Sequence, residues 1–284
     1  PVPDRSGALD SVVVRAREGD GAALETLVRA IKDDVYGLAI RMLWHPEDAE
    51  DATQEILLKV VTHLGSFRGE SAFRTWVYRI ATNHLLGIRK SRVEREELSF
   101  EVFADQLAAG LSGALEVPPD ADQALLEEEV KIGCTQGMLL CLDREHRLAY
   151  ILGEVFELAG DEAARVLDIE PAAFRKRLSR ARSRIRGFMR GHCGLVNRDN
   201  PCRCARRIPH ARETGRLDPG HLLFATHPSR GDRPPDLNRQ VQEMEELHRA
   251  AAVFRSHPDY AGPERLLDAV RKLVESGRQS MLRQ

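Results

Sequence analysis

The chain has 284 residues, enough for two or three compact units that each bury a core of their own. It is 30% charged with a formal net charge of −2, so local patches of either sign are expected behind a near-neutral balance. No run of eighteen apolar residues occurs, and the opening PVPDRSGALD lacks a basic segment followed by an apolar one, so neither a membrane span nor a secretory signal is expected.

Low aromatic content, few Val/Ile/Thr clusters and long stretches of period 3.6 predict an all-α fold without strands. From Asp20 to Leu43 the residues Ala23, Leu27, Ala30, Ile31, Val35, Leu38 and Met42 make one apolar stripe, with a break expected near Asp33. His45-Pro46 ends that helix. Asp48 is expected to open a second, with Ala49, Ala52, Ile56, Val60 and Leu64 inward and Asp48, Asp51, Gln54 and Glu55 on the outer side. The turn FRGES, Phe67 to Ser71, leads into a third helix carrying Phe73, Trp76, Val77, Ile80, His84 and Ile88, which ends at the basic RKSR, Arg89 to Arg92.

Residues 96–122 carry acidic and small residues and a Pro-Pro pair, and they read as a flexible linker. Helical periodicity resumes at Gln123 and runs through LLCLDREHRLAYILGEVFEL. It then shortens into DEAARVL (Asp161 to Leu167) and PAAFRKRLSRARSRIRGFMR (Pro171 to Arg190). Joined by Asp168-Ile169-Glu170, these two pieces form a helix-turn-helix pattern, and Pro171 suits the first helical position, where its missing N–H is not needed.

The second of these helices holds Arg175, Lys176, Arg177, Arg180, Arg182, Arg184, Arg186 and Arg190 and no acidic residue. Solvated helix faces usually mix signs, so this concentration predicts an anionic partner. An α-helix fits the DNA major groove, where its cations neutralise phosphates and residues near its N-terminus reach base edges. Ala172, Ala173, Arg175 and Lys176 are best placed for base contact, with Arg177, Ser179 and Arg180 following. Phe174, Leu178, Ala181 and Ile185 form the packing stripe.

With those motifs in place, the chain resembles the extracytoplasmic-function (ECF) type of bacterial sigma factor. DAEDATQEILLKVVTHLGSFRGESAFRTWVYRIATNHLLGIRKSR is similar to the second sigma domain of that family, and LDREHRLAYILGEVFELAGDEAARVLDIEPAAFRKRLSRARSRI to its fourth. The resemblance implies a sigma domain two at 1–95, the linker at 96–122, a sigma domain four at 123–190 and an extension at 191–284. It further implies a promoter-specificity subunit of RNA polymerase, not an enzyme, working in the cytoplasm without a required cofactor. Its implied partners are core polymerase, through the β′ clamp helices and the β flap, promoter DNA and an anti-sigma factor, with no membrane.

Asp48, Asp51, Gln54, Glu55 and Leu58 then match the polymerase-binding surface. Phe67, Arg68, Gly69, Glu70 and Ser71 match the loop that captures a flipped minus-10 base. Arg74, Tyr78, Arg79 and Asn83 match the strand-binding helix after it, and Arg89, Lys90 and Arg92 would hold phosphates. Trp76 and Phe73 read as core at their helical spacing. Ala172, Ala173, Arg175, Lys176, Arg177, Ser179 and Arg180 match the minus-35 reader. The chain departs from the family where Ala159-Gly160 replace a Ser/Thr cap, a role expected to pass to Asp161, and where Asp168 replaces the turn glycine. The rival reading is a helix-turn-helix repressor or activator that works without polymerase, which would have no use for the FRGES-to-RKSR segment. A zinc enzyme built on the tail would need a Glu-flanked His pair, and the tail has none.

About ninety residues follow Arg190. They open with HCGLVNRDNPCRC, pass through DPGHLLFATHPSRGDRPPD and end in two helical patterns, one with Val241, Met244, Leu247, Ala251 and Phe254 inward and one with Leu266, Leu267, Val270, Leu273 and Val274. Five cysteines, with Cys134 and Cys141 isolated in apolar surroundings, argue against a disulfide scaffold and for a reducing compartment. His192, Cys193, Cys202 and Cys204 equal a tetrahedral zinc shell in number, with His210 in reserve, although Cys-x8-Cys-x-Cys lacks the paired Cys-x2-Cys of zinc ribbons. A structural or regulatory zinc, redox-responsive thiols beside arginines, and small buried cysteines in a turn all remain open.

Overall fold

A computed structural model describes residues 6–90, 94, 98–111, 123–227 and 246–275 of the chain. Among them the protein is helical, with one isolated bridge between Cys193 and Cys202 and no strand. The helices are α1 (Ser6–Arg17), α2 (Gly21–Leu43), α3 (Pro46–Thr62), α4 (Phe73–Gly87), α5 (Phe100–Ala109) and α6 (Gln123–Leu140). There follow α7 (Arg144–Tyr150), α8 (Gly160–Leu167), α9 (Pro171–His192), α10 (Cys204–Glu213), α11 (Glu246–Arg255) and α12 (Leu266–Glu275). Two compact units result: Pro1–Arg89 with Phe156–Arg175 and Tyr260–Gln284, and Lys90–Val155 with Lys176–Asp259.

In the first unit α2 is one unbroken helix through Asp33, started by Asp20, whose carboxylate accepts the N–H groups of Ala22 and Ala23 at 2.9 and 3.0 Å. No break was needed, because Asp33 accepts the Gly262 N–H at 2.9 Å and the neighbouring Asp34 is buried against Arg74. The second helix starts at Pro46, two residues before Asp48, since proline fits the first helical turn. Helix α12 packs on α2 and α3, burying Leu266, Leu267 and Val270. The strap before it lies so close to α2 that a Cβ on Gly262 would meet Leu266 at 3.0 Å and Tyr36 at 3.2 Å. Tail residues thus complete the core of the first unit.

The second unit is built on α6. Helix α10 packs along it, and α11 packs on α6 and on the single π turn Ile151–Val155 that follows α7. Part of the segment expected as a linker is ordered here: Ser99 caps α5 by accepting the Val102 N–H at 3.2 Å, and Phe103 and Leu107 are buried. The physical reason is an apolar stripe, Phe100, Phe103 and Leu107, that stacks Phe100 and Phe103 on Phe188 at 5.2 and 5.4 Å between ring centroids. Residues 112–122, Val241 and Met244 lie outside the described residues.

The tail is also tied down through Glu129, which is buried and accepts three backbone N–H groups, from Leu223 at 2.8, Phe224 at 2.9 and Ala225 at 2.6 Å. Replacing Glu129 by Gln removes the charge and turns one acceptor into a donor facing a donor. The expected loss in urea unfolding is about 1–2 kcal/mol.

Candidate nucleic-acid and polymerase interfaces

On α3 the inward side chains Ala49, Ala52, Thr53, Ile56, Leu57, Val60 and Val61 are buried, which forces the remaining positions outward. Asp48, Asp51, Gln54 and Glu55 are exposed and Leu58 is half-buried, so the five form one largely acidic face. Glu55 lies 3.6 Å from the His84 ring, whose pKa is held below its ordinary value by burial and by nearby Lys59. Glu50, on the same helix, is bound instead by Arg265 of the tail.

The FRGES turn divides into an anchor and an exposed tip. Phe67 is buried, its ring 5.4 Å from both Phe73 and Trp76, so it packs as core rather than standing open to receive a base. Arg68, Gly69 and Glu70 are exposed and Ser71 is half-buried. Gly69 has φ of +75°, a left-handed conformation that a glycine adopts without strain.

Along α4 the residues expected to meet a DNA strand are not equally exposed. Arg74 donates to the buried Asp34 through Nε at 2.7 Å, and Tyr78 is buried with its ring 5.8 Å from Phe156. Arg79 pairs with Asp168 at 2.7 Å, while Asn83, Arg89 and Lys90 are exposed. Arg92 lies outside the described residues. These contacts arise because α8 packs on α4: Thr75 donates to Glu162 at 2.9 Å and Thr82 to the Val166 carbonyl at 3.3 Å.

Between α8 and α9 the chain turns at residues 168–170. Asp168 sits in the left-handed region (φ 54°, ψ 46°) and the Ile169 N–H returns to the Ala164 carbonyl at 3.1 Å, closing α8. Asp161 is not the cap. The helix starts at Gly160 with Ala159 as its N-cap, and no side chain caps it, so Asp161 and Glu162 instead place negative charge in the first turn.

On α9 the stripe Phe174, Leu178, Ala181, Ile185, Phe188 and Met189 is buried. Ala172, Arg175, Lys176, Ser179 and Arg180 are exposed and Ala173 is half-buried. Arg177 is engaged by Glu145 at 2.9 Å and Arg182 donates to Glu154 through Nε at 2.6 Å. Arg184 lies over the Phe100 ring at 5.5 Å. The cations flanking the buried stripe are therefore partly used in packing, and the Arg175–Lys176–Arg180 face is left outward.

After α9 the cysteine stretch folds into a tight turn. Among the described residues no group of three or more His, Cys, Asp or Glu side chains is placed to hold a metal ion. His192 is exposed, its ring centroid 4.8 Å from that of Phe188 in a tilted contact. Burial pushes the pKa of the Cys134 thiol on α6 well above its ordinary value, and Cys193, Cys202 and Cys204 add to the rise.

Sigma-70 region 2 matches residues 27–93, from within α2 through α3, the FRGES turn and α4. The RNA polymerase sigma-H factor of Pseudomonas aeruginosa is 31% identical over 174 residues, covering 61% of this chain and 90% of that protein. This chain belongs to the ECF family of RNA polymerase sigma factors. The ECF RNA polymerase sigma-E factor of Escherichia coli K12 is similar at 32% identity, with 62% of this chain and 92% of that protein covered. SigW of Bacillus subtilis is similar at 27%, with 63% and 95% covered. As a sigma factor the chain is a transcription initiation factor that acts with core RNA polymerase in promoter-specific initiation, and the polymerase-independent repressor reading is not favoured. No described helix is long and apolar enough to cross a membrane.

Proposed function

We propose that this ECF sigma factor divides its work among three surfaces: the acidic face of α3 for polymerase, the exposed FRGES tip with α4 for the minus-10 element, and the Arg175–Lys176–Arg180 face of α9 for the minus-35 element. The observation that carries the reading is that buried stripes on α3 and α9 turn charges of opposite sign outward on two separate helices, acids on one and cations on the other. An acidic face suits a basic clamp helix of the β′ subunit, where complementary charge steers docking and fixes register. A cationic helix face suits DNA. The β flap is the second polymerase contact, and an anti-sigma factor in the cytoplasm would compete for the same surfaces.

Minus-10 capture needs unpaired bases to be held without ATP, by pockets and by a strand-tracking face. Arg68, Glu70 and Asn83 are outward for that purpose. Arg79 is bound to Asp168, and Thr75 to Glu162, so α8 has to leave α4 before the whole helix can meet a DNA strand. Promoter and polymerase binding would supply the free energy of that exchange.

The test is binding of the full chain to purified core polymerase and promoter-dependent transcription. Asp51→Arg reverses one exposed charge without touching the core and is expected to lower polymerase affinity roughly tenfold or more, with little change in unfolding midpoint. Unchanged affinity in that variant would remove α3 from the interface.

A further inference from the structure

The turn that closes α8 carries a side chain its own helix does not require. Among the described residues Trp44, Glu157 and Asp168 are the non-glycine residues at positive φ, and Asp168 stands where the family carries the turn glycine. At φ 54° and ψ 46° its backbone lies in the left-handed region, which glycine enters without strain and aspartate less readily. Backbone groups close the turn: the Asp168 N–H reaches the Arg165 carbonyl at 3.3 Å and the Ile169 N–H the Ala164 carbonyl at 3.1 Å. Both bonds would survive a glycine at 168. The Asp168 carboxylate instead pairs with Arg79 of α4 at 2.7 Å.

A second acid of α8 also faces α4. Glu162 accepts from Thr75 at 2.9 Å, and Thr75 is buried. Thr82 donates to the Val166 carbonyl at 3.3 Å, and Ala163 and Val166 are buried beside it in sequence. Thr75, Arg79 and Thr82 are spaced i, i+4 and i+7, which places them on one face of α4. Two carboxylates and a carbonyl thus meet a row of hydroxyl, guanidinium and hydroxyl donors. Such donors are the ones that proteins turn toward the phosphate oxygens of a nucleic-acid strand.

These contacts are weak enough to be exchanged. Arg79 is 48% and Asp168 66% exposed, so solvent screens their attraction, and exposed ion pairs contribute little. Helix α8 has eight residues, too few to persist unsupported once it leaves α4. A phosphate that takes the place of Asp168 on Arg79 replaces one charge-assisted contact by another.

We propose that Asp168 and Glu162 stand in for DNA phosphates and latch α8 over α4, so that the unbound chain keeps its minus-10 surface covered. The inference rests on the reading of α4 as the strand-binding helix. A closed fraction lowers apparent affinity for a strand in proportion to its population, so the latch sets a threshold that polymerase and promoter overcome together. It also accounts for an acid at a backbone position that favours glycine.

The test measures binding of the full-length chain to a fluorescently labelled single-stranded DNA oligonucleotide of randomised sequence. Arg175, Lys176 and Arg180 are replaced by alanine throughout, so that α9 does not dominate the signal. Asp168→Gly and Asp168→Asn are each expected to tighten binding about two- to fivefold, the range that an exposed ion pair commands. Adding Glu162→Ala to Asp168→Gly is expected to bring the gain to about tenfold, because it takes that acceptor from the buried Thr75 hydroxyl. The urea midpoint of Asp168→Gly should hold or rise, since glycine relieves the turn, while amide exchange in α8 quickens because the helix leaves α4 more often. Glu170→Gln removes an exposed acid of the same turn and should leave affinity near its starting value. The comparison with Arg79→Ala decides the cause. In the Asp168→Gly chain, Arg79→Ala should weaken binding about fivefold; in the Arg79→Ala chain, Asp168→Gly should add nothing. An equal gain from Asp168→Gly with and without Arg79, or from Glu170→Gln, would reduce the effect to general charge and overturn the latch. No gain from Asp168→Gly, in a chain where Arg79→Ala still weakens binding, would overturn the latch and keep α4 as a DNA surface. If Arg79→Ala costs nothing in the Asp168→Gly chain, α4 is not that surface and the latch falls with it.

Discussion

Glu94→Gln is expected to be one of the most damaging single changes in the chain, costing about 3–5 kcal/mol of stability in urea unfolding at neutral pH. Its carboxylate takes Arg144 through two hydrogen bonds, at 3.0 and 2.6 Å, and Arg147 through one at 2.9 Å. Glu94 and Arg147 are each 3% exposed and Arg144 is 11% exposed. Arg147 also donates to the Leu139 and Leu142 carbonyls, at 2.9 and 3.1 Å, at the break between α6 and α7. A neutral amide would withdraw the negative charge that faces two little-exposed guanidinium groups, and an arginine cannot shed its proton to escape the cost.

The same site predicts a pH signature. Burial works to raise the Glu94 pKa, but the two arginines outweigh it and hold the carboxyl down at about 2, against 4.5 for the free side chain. A carboxylate with a depressed pKa in the folded state contributes stability fully above its unfolded pKa and loses it as pH falls through the folded one. The stability gap between wild type and Glu94→Gln should therefore be constant above about pH 5 and shrink between roughly pH 4.5 and 2. A gap that persists unchanged at pH 2.5 would mean that the destabilisation comes from packing and not from charge.

How much of this was legible depends on the range of the interaction. The helices α2, α3, α4 and α9 follow from local periodicity, and the α8–α9 turn from its three-residue length and from Pro171, since each is decided within one or two turns of chain. The acidic face of α3 and the cationic face of α9 were legible for the same reason: an apolar stripe fixes which residues are left outside. Helix α5 was missed although Ser99, Phe100, Phe103 and Leu107 carry a cap and an i, i+3, i+7 stripe, because the acidic and small residues around it weigh toward a linker. Partners far apart in sequence left no signal at all. Arg74 looks like an exposed DNA contact until Asp34, forty residues earlier, is seen to hold it. Glu129 looks like one of a run of three surface acids until three tail N–H groups converge on it.

On α9 the structure separates cations that the sequence could only count, and DNA binding should show the separation. Arg175, Lys176 and Arg180 are exposed, whereas Arg177 and Arg182 neutralise Glu145 and Glu154. Replacing the three exposed residues by alanine removes up to three phosphate neutralisations, so the slope of log affinity against log salt should fall by about 2–3. Promoter affinity at moderate salt should drop by about two orders of magnitude if two or three contacts are lost. Unfolding should change by less than about 0.5 kcal/mol for each exposed substitution, because none of the three carries packing. Arg177→Ala and Arg182→Ala should behave in the opposite sense, leaving the salt slope near its wild-type value and lowering stability, since each would strip a partner from an acid beside the buried stripe. If an arginine already spent on an acid changed the slope as much as an exposed one, the outward face of α9 would not be the face that meets DNA.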